Sequence, residues 1–136
     1  MAGKMSFFKE IPISTRRRTE LVDITGYVEK AVTESKVKDG ICYIYVPHTT
    51  AAVTINENAD RSVVEDIRSE LDKLIPFDDD YRHMEGNSAA HIKASIIGPS
   101  QTVFIANGKL KFGTWQGIFF CEFDKPRSRK IWIKII

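Results

Sequence analysis

The three histidines of this sequence lie in three separate polar segments, each next to an apolar one. His48 follows the apolar run ICYIYV, His83 lies within PFDDDYRHMEGNSAA, and His91 begins HIKASIIG. A catalytic zinc site commonly uses three protein ligands and leaves one position open, and neutral imidazole is a natural zinc ligand. The histidines therefore predict either a three-histidine metal site or a metal-free site in which His83 is the general acid or base. A hydrogen-bonded structural role is the alternative for each, since no HExxH motif places two of them on one helix face.

Further polar side chains follow His48 in the segment PHTTAAVTINENAD. Glu57 could orient a histidine or act as a base, whereas Asp60 is placed to cap the next helix. Thr49 and Asn58 offer hydrogen-bond donors and acceptors that could orient a polar substrate, although threonine is also a common strand residue. The segment is therefore a candidate for both catalysis and substrate binding.

The second candidate segment is FGTWQG, residues 112–117. Gly113 permits close backbone approach, Trp115 has a flat ring that could stack on a planar ligand, and Gln116 can both donate and accept hydrogen bonds. Thr114 adds a hydroxyl between them. The alternative is that Trp115 anchors the core beside a tight turn.

Two basic clusters could contact phosphate. The first is the run of three arginines, 16–18, in TRRRTE, for which a solvated turn is the favoured interpretation. The second is CEFDKPRSRK, in which Arg127, Arg129 and Lys130 could bind phosphate or form a charged turn.

The hydrophobic pattern predicts an α+β domain with an antiparallel-rich mixed sheet packed with two to three helices. The run 41–46 is apolar on both faces and predicts a strand covered on both sides. Helices are predicted at 24–35, at 61–74 and, by a smaller margin over strand, at 91–98. The other predicted strands are 4–14, 102–106, 109–112, 117–123 and 129–136. Residues 76–90 predict a long loop, and such loops are often functional.

Bulk composition disfavours several classes of protein. The chain has 136 residues, which fits one domain over 1–136, and its net charge of +2 disfavours a nucleic-acid-binding surface. Cys42 and Cys121 have apolar neighbours, which favours buried thiols in a reducing, cytoplasmic setting over a disulfide. We expect neither a signal peptide in MAGKMSFFKE nor a membrane association, because no run of about 18 apolar residues occurs.

Three segments together resemble the YjbQ family, often labelled secondary thiamine-phosphate synthase. They are HTTAAVTINENAD (48–60), YRHMEGNSAAHIKASIIG (81–98) and SQTVFIANGKLKFGTWQGI (100–118). The resemblance implies a single α+β domain, assembly as a homotrimer, and a cluster of His48, His83 and His91 suited to a metal or an anion, with GTWQ nearby. It also implies weak thiamine-phosphate synthase activity, which joins a pyrimidine diphosphate to a thiazole phosphate with loss of pyrophosphate.

The imidazoles and the implied activity favour different metals. Pyrophosphate departure is normally assisted by magnesium, which prefers oxygen ligands, whereas three imidazoles suit zinc or another transition metal. We therefore expect a metal-binding enzyme that acts on a phosphorylated or otherwise anionic small molecule, with the synthase reaction as a secondary activity. The alternative is a non-catalytic trimeric module that binds a small ligand or a metal. The residues expected to bind substrate are Thr49, Asn58, Asn87, Gly113, Thr114, Trp115, Gln116 and Arg127.

Overall fold

A computed structural model describes residues 6–136, which form eight strands and three helices. In chain order these are β1 (Phe7–Ser14), β2 (Glu20–Asp23), α1 (Thr25–Ser35), β3 (Asp39–Tyr45), β4 (Ala51–Glu57), α2 (Arg61–Leu74), α3 (Ser88–Ile97), β5 (Ser100–Ala106), β6 (Lys109–Lys111), β7 (Gln116–Glu122) and β8 (Ser128–Ile135). The α+β class is confirmed. Lys4 and Met5, at the start of the first predicted strand, lie outside the described residues.

Two sheets are present where the sequence predicts one mixed sheet. The five-stranded sheet has the order β1-β8-β3-β5-β6, and the three-stranded sheet has the order β2-β7-β4. Every pairing between the described strands is antiparallel. The sequence did not reveal β2, which has four residues, or β4, whose apolar start of three residues is followed by mainly polar ones.

The main core lies between the two sheets. Ile131, Ile133 and Ile135 of β8 are fully buried, while the residues between them are not, as the alternation in that strand predicts. Ile118 and Phe120 of β7 join them from the three-stranded sheet. β7 is buried on both faces, because its opposite face packs under α2 and α3.

The outer face of the five-stranded sheet carries large aromatic side chains. Tyr43 and Tyr45 of β3 are 39% and 45% exposed, and Phe104 is 65% exposed. Trp132 stacks on Tyr45 with ring centroids 5.9 Å apart and lies 6.2 Å from Phe8. We call these five residues the aromatic face. The prediction that residues 41–46 are covered on both sides is wrong for a single chain, because α1, α2 and α3 leave this face open.

The helix predictions are confirmed. The Asp60 carboxylate caps α2 and accepts a hydrogen bond from the Ser62 backbone N–H at 2.9 Å. The predicted loop after α2 extends to the start of α3 at Ser88. None of the helices among residues 6–136 is both long enough and apolar enough to cross a membrane.

Candidate functional site

His83 and His91 meet at the point where the long loop enters α3. Their ring centroids are 5.4 Å apart and their planes are nearly perpendicular, at 88°. The His83 side chain is 42% exposed. We call these two residues the histidine pair. They lie in an open depression whose lining is Asp80, Tyr81, Arg82, His83, Ser88, His91 and Ile92.

The surroundings of the histidine pair carry charges of both signs. Arg82 and the N-terminal end of α3 favour an anion, since the helix dipole is positive at that end. Asp80 lines the same depression, and a Glu85 carboxylate oxygen lies 3.9 Å from His83 Nε2. The depression therefore suits an anionic ligand, a metal ion, or the two together.

His48 takes part in a hydrogen bond that defines its protonation state. Its Nε2 accepts a hydrogen bond from the Lys130 backbone N–H at 3.1 Å. Burial lowers the pKa of His48, and the nearby charge of Arg129 lowers it further. A neutral ring that accepts at Nε2 carries its proton on Nδ1. To bind a metal, His48 would have to lose that proton or break the bond to Lys130.

The described residues do not assemble a complete metal site within one chain. Residues 6–136 include all three histidines, and among them no group of three histidine, cysteine, aspartate or glutamate side chains is arranged to hold an ion. The structure brings His83 and His91 together and does not place His48 with them as a third ligand. Metal binding by all three stays a prediction.

A buried ion pair lies beside His48 and includes Arg129, so the prediction that Arg129 binds phosphate or belongs to a charged turn is wrong. Arg129 donates from Nε and Nη2 to the two Glu122 carboxylate oxygens, at 2.8 Å and 2.5 Å. Thr50 accepts from Arg129 at 2.8 Å, and Thr15 donates to Glu122 at 2.8 Å. Because a buried charge is costly unless it is paired, an acid within the apolar run IFFCEF was the signal for this pair.

Asn87 and Arg127, two predicted substrate-binding residues, converge on Asp124. Asn87 Nδ2 donates to an Asp124 carboxylate oxygen at 2.8 Å, and Arg127 Nη2 lies 3.6 Å from the same atom. Asn87 Oδ1 is buried and has no hydrogen-bond partner among the described residues. The Asp124 backbone N–H in turn donates to Glu122. This chain of contacts joins the start of α3 to the buried ion pair.

Glu57, Asn58 and the GTWQ segment lie at the opposite end of the three-stranded sheet. In the β4–β7 pairing, Ala51 is opposite Glu122 and Glu57 is opposite Gln116. Six residue steps of about 3.3 Å separate the two ends by roughly 20 Å. Within one chain, the structure therefore does not bring Glu57 beside the histidines. Thr49 is exposed at the end that contains the ion pair.

FGTWQG forms a tight turn at this far end. Gly113 donates to the Gln116 side chain at 2.8 Å, and the Gln116 backbone N–H donates back to Gly113 at 3.1 Å. Asn58 N–H donates to the Trp115 carbonyl oxygen at 3.0 Å. Trp115 is 62% exposed and so does not anchor the core. Asn58, Gly113 and Gln116 shape the turn, and Thr114 and Trp115 are left accessible.

Comparisons with known proteins point to one family. The family model described as UPF0047 protein YjbQ-like matches residues 9–136. A UPF0047 protein of Methanocaldococcus jannaschii is 61% identical over 124 residues, which are 91% of this chain and 90% of the relative. The UPF0047 protein YugU of Bacillus subtilis is 50% identical over 129 residues, which are 94% of this chain and 98% of the relative.

Solved structures agree with this assignment. A crystal structure of a YjbQ/UPF0047 family protein from Clostridium acetobutylicum has a TM-score of 0.92 at 56% identity, covering 94% of this chain and 99% of that one. A YbjQ-like protein of Sulfolobus solfataricus has a TM-score of 0.92 at 40% identity, covering 96% of each chain.

Proposed function

This chain belongs to the YjbQ family, and we propose that it is a small enzyme acting on a phosphorylated or otherwise anionic small molecule at the histidine pair. The observation that carries the proposal is the edge-on approach of His83 and His91, 5.4 Å apart, beside Arg82 and the start of α3. Arg82 and the helix end favour the anion. An imidazole can transfer a proton near neutral pH, and His83 is the more exposed of the pair.

We propose a divalent transition metal, zinc rather than magnesium, as the cofactor of this site. Two imidazoles are nitrogen ligands, which suit zinc, whereas magnesium prefers oxygen. His83 and His91 would hold the ion, and the third ligand would be either His48, released from its hydrogen bond to Lys130, or a group from a neighbouring subunit. When bound, the metal would polarise a phosphoryl oxygen of the substrate.

We propose that the secondary reaction of this site is weak thiamine-phosphate synthesis. Both substrates of that reaction carry phosphate, which agrees with the anion-favouring features of the depression. Thr49, Asn87 and Arg127 are the proposed phosphate-binding residues at this end of the molecule.

We propose a homotrimer in the cytoplasm as the working form of the protein. Support for self-association comes from the aromatic face, because exposed patches of this kind usually mark interaction surfaces. A trimer would also allow Glu57 of one subunit to approach the histidines of another. The free, buried thiols of Cys42 and Cys121 fit a reducing compartment.

The test is turnover and metal content of protein purified without a histidine tag. Pyrimidine diphosphate and thiazole phosphate are incubated with the wild type and with the His83→Ala, His91→Ala and His48→Ala variants. We expect His83→Ala to lower turnover about 100-fold, since acid–base catalysis contributes on the order of 10²–10⁴. Bound zinc should fall in each variant. Lys109→Ala, an exposed change far from the pair in sequence, is the control.

Two results would contradict parts of this proposal. Turnover that survives in His83→Ala would remove the acid–base role. Metal content that is equal in the wild type and in the His83→Ala and His91→Ala variants would remove the metal assignment.

A non-catalytic trimeric binding module is the second candidate, and two observations favour it. Glu57, the predicted base, lies at the far end of β4 from the histidines of its own chain. Burial also raises the pKa of the Cys42 and Cys121 thiols to about 12, which leaves no thiolate nucleophile near neutral pH. This candidate predicts saturable ligand binding and no product. Turnover that disappears in His83→Ala would exclude it.

A further inference from the structure

A second concavity lies between the end of β1, strand β2 and the first turns of α2. Its volume is about 530 Å³, within the range of small-molecule sites, and it contains none of the residues that line the histidine pair. We call it the arginine groove. The residues that matter here are Arg16, Arg17, Asp23, Tyr27, Arg61 and Glu65.

The three carboxylates of the arginine groove already have hydrogen-bond partners in the chain. Glu20 accepts from the Arg16 backbone N–H at 2.7 Å. Asp23 accepts from the backbone N–H of Thr25, the first residue of α1, at 2.9 Å. Glu65 accepts from the Arg17 guanidinium at 2.9 Å. Each of these three carboxylates therefore already accepts a hydrogen bond from the protein.

The arginine run divides into three different environments. Arg17 is paired with Glu65, and the Arg18 guanidinium lies 3.7 Å from the centre of the Phe77 ring. The Arg16 side chain makes no hydrogen bond or ion pair with any residue in 6–136 and lines the groove. Of the three adjacent arginines, only Arg16 both lines the groove and has no side-chain partner among residues 6–136.

A second guanidinium faces the same space from α2. Arg61 lines the groove, and its side chain likewise forms no hydrogen bond or ion pair within the described part of the chain. Guanidinium groups match the geometry of phosphate and carboxylate and bind them with charge-assisted hydrogen bonds. Arg16 and Arg61 therefore supply donors to one groove from two elements, the β1–β2 turn and the first turn of α2.

The remaining surface of the groove is suited to a flat apolar body. Tyr27 of α1 is 52% exposed there, and Val22, Val64 and Phe119 also line it. An inorganic anion would fill only a small part of the volume. We propose that the arginine groove binds an organic anion, whose phosphate or carboxylate contacts Arg16 and Arg61 and whose ring packs on Tyr27.

The test uses phenyl phosphate and benzoate as probes, titrated into the full-length ¹⁵N-labelled protein and followed by NMR and calorimetry. Arg16→Gln and Arg61→Gln should each raise the dissociation constant about tenfold, since each removes a charge-assisted hydrogen bond. Tyr27→Ala should weaken binding of both probes. Lys109→Gln, which removes an exposed positive charge outside both concavities, is the control and should leave both constants unchanged.

The two probes separate the two anionic groups. Binding of phenyl phosphate alone identifies a phosphoryl ligand, whereas similar constants for both probes show that charge and ring suffice. The proposal is overturned if neither probe saturates by roughly 10 mM, or if Arg82→Gln or His83→Ala removes binding while Arg16→Gln and Arg61→Gln do not. The second result would show that the probe binds at the histidine pair, and the function proposed for that pair would be unaffected.

Discussion

Arg129 and Glu122 form a two-point ion pair in the interior, with side chains that are 5% and 0% exposed. Glu122 ends β7 in the three-stranded sheet, and Arg129 lies in β8 of the five-stranded sheet. The pair therefore joins the two sheets at the end where His48 lies. The backbone N–H that holds His48 belongs to Lys130, the next residue after Arg129. The position of the His48 ring thus depends on where the ion pair holds β8.

Removing one partner of this pair should destabilise the protein strongly. Arg129→Met leaves the Glu122 carboxylate buried without its counter-charge, which typically costs about 3–5 kcal/mol. The free energy of unfolding, measured in urea, is expected to fall by that amount. The double change Glu122→Leu with Arg129→Met should recover much of the loss, because no buried charge then remains. Equal stability of the single and double variants would contradict this account.

The lowered pKa of His48 predicts a loss of stability on the acid side of neutrality. A histidine whose pKa is lower in the folded state than its ordinary value near 6.5 binds fewer protons when folded. The stability that neutral His48 contributes is complete above pH 6.5 and is lost as the pH falls through its lowered pKa. His48→Gln should flatten that part of the curve. The measurement is the denaturant midpoint from pH 7.5 to 5. If the midpoint depends on pH as steeply in His48→Gln as in the wild type, this prediction is wrong.

The sequence predicted well the elements in which pattern and capping agree. α2 has an apolar stripe and a capping carboxylate, and its observed start follows Asp60 as predicted. β4 was missed because Ile55 is its one apolar residue after the first three, which is too short an alternation to predict a strand. Whether β3 is covered on both faces depends on neighbours that the pattern does not identify.

The site was predictable only in part, for a different reason. His83 and His91 are eight residues apart, and the loop-to-helix transition between them is enough to bring the rings together. Glu57 is nine residues from His48, yet β4 is extended and carries Glu57 to the far end of the sheet. Closeness in sequence therefore does not mean closeness in space where the chain forms a strand. The acid in IFFCEF was a usable signal for a buried pair.

A side chain at Gly117 should disrupt the GTWQ turn. A Cβ at this position would lie 2.4 Å from Asn58 Nδ2 and 2.8 Å from Asn58 Cβ, so the neighbouring segment must move. Gly117→Ala is expected to lower the free energy of unfolding by about 1–3 kcal/mol. Asn58→Gly should relieve the crowding, so the double variant should lose less than the sum of the two single changes. Simple additivity would show that this contact does not limit the turn.

Lys93 should require Asp72 for its burial. The Lys93 side chain is 3% exposed and its ammonium pairs with Asp72, which also accepts from Thr19 at 2.9 Å. Asp72→Asn removes the counter-charge and should cost about 3 kcal/mol, whereas Lys93→Met keeps the volume and should cost less. Thermal and urea unfolding measure both. The reverse order would show that the packing of Lys93, not its charge, links α2 to α3.

The aromatic face should hold the proposed trimer together. Tyr45 stacks on Trp132 within this face, and Lys130 and Lys134 flank Trp132 on the same face of β8. Tyr45→Lys would add a third ammonium to this region and would require its desolvation on assembly. We expect light scattering after size exclusion to give three times the mass of one chain for the wild type and a single-chain mass for Tyr45→Lys. Met84→Lys, which changes a fully exposed apolar residue outside the face, should remain trimeric. A Tyr45→Lys protein with the wild-type mass would place any subunit contact elsewhere on the molecule.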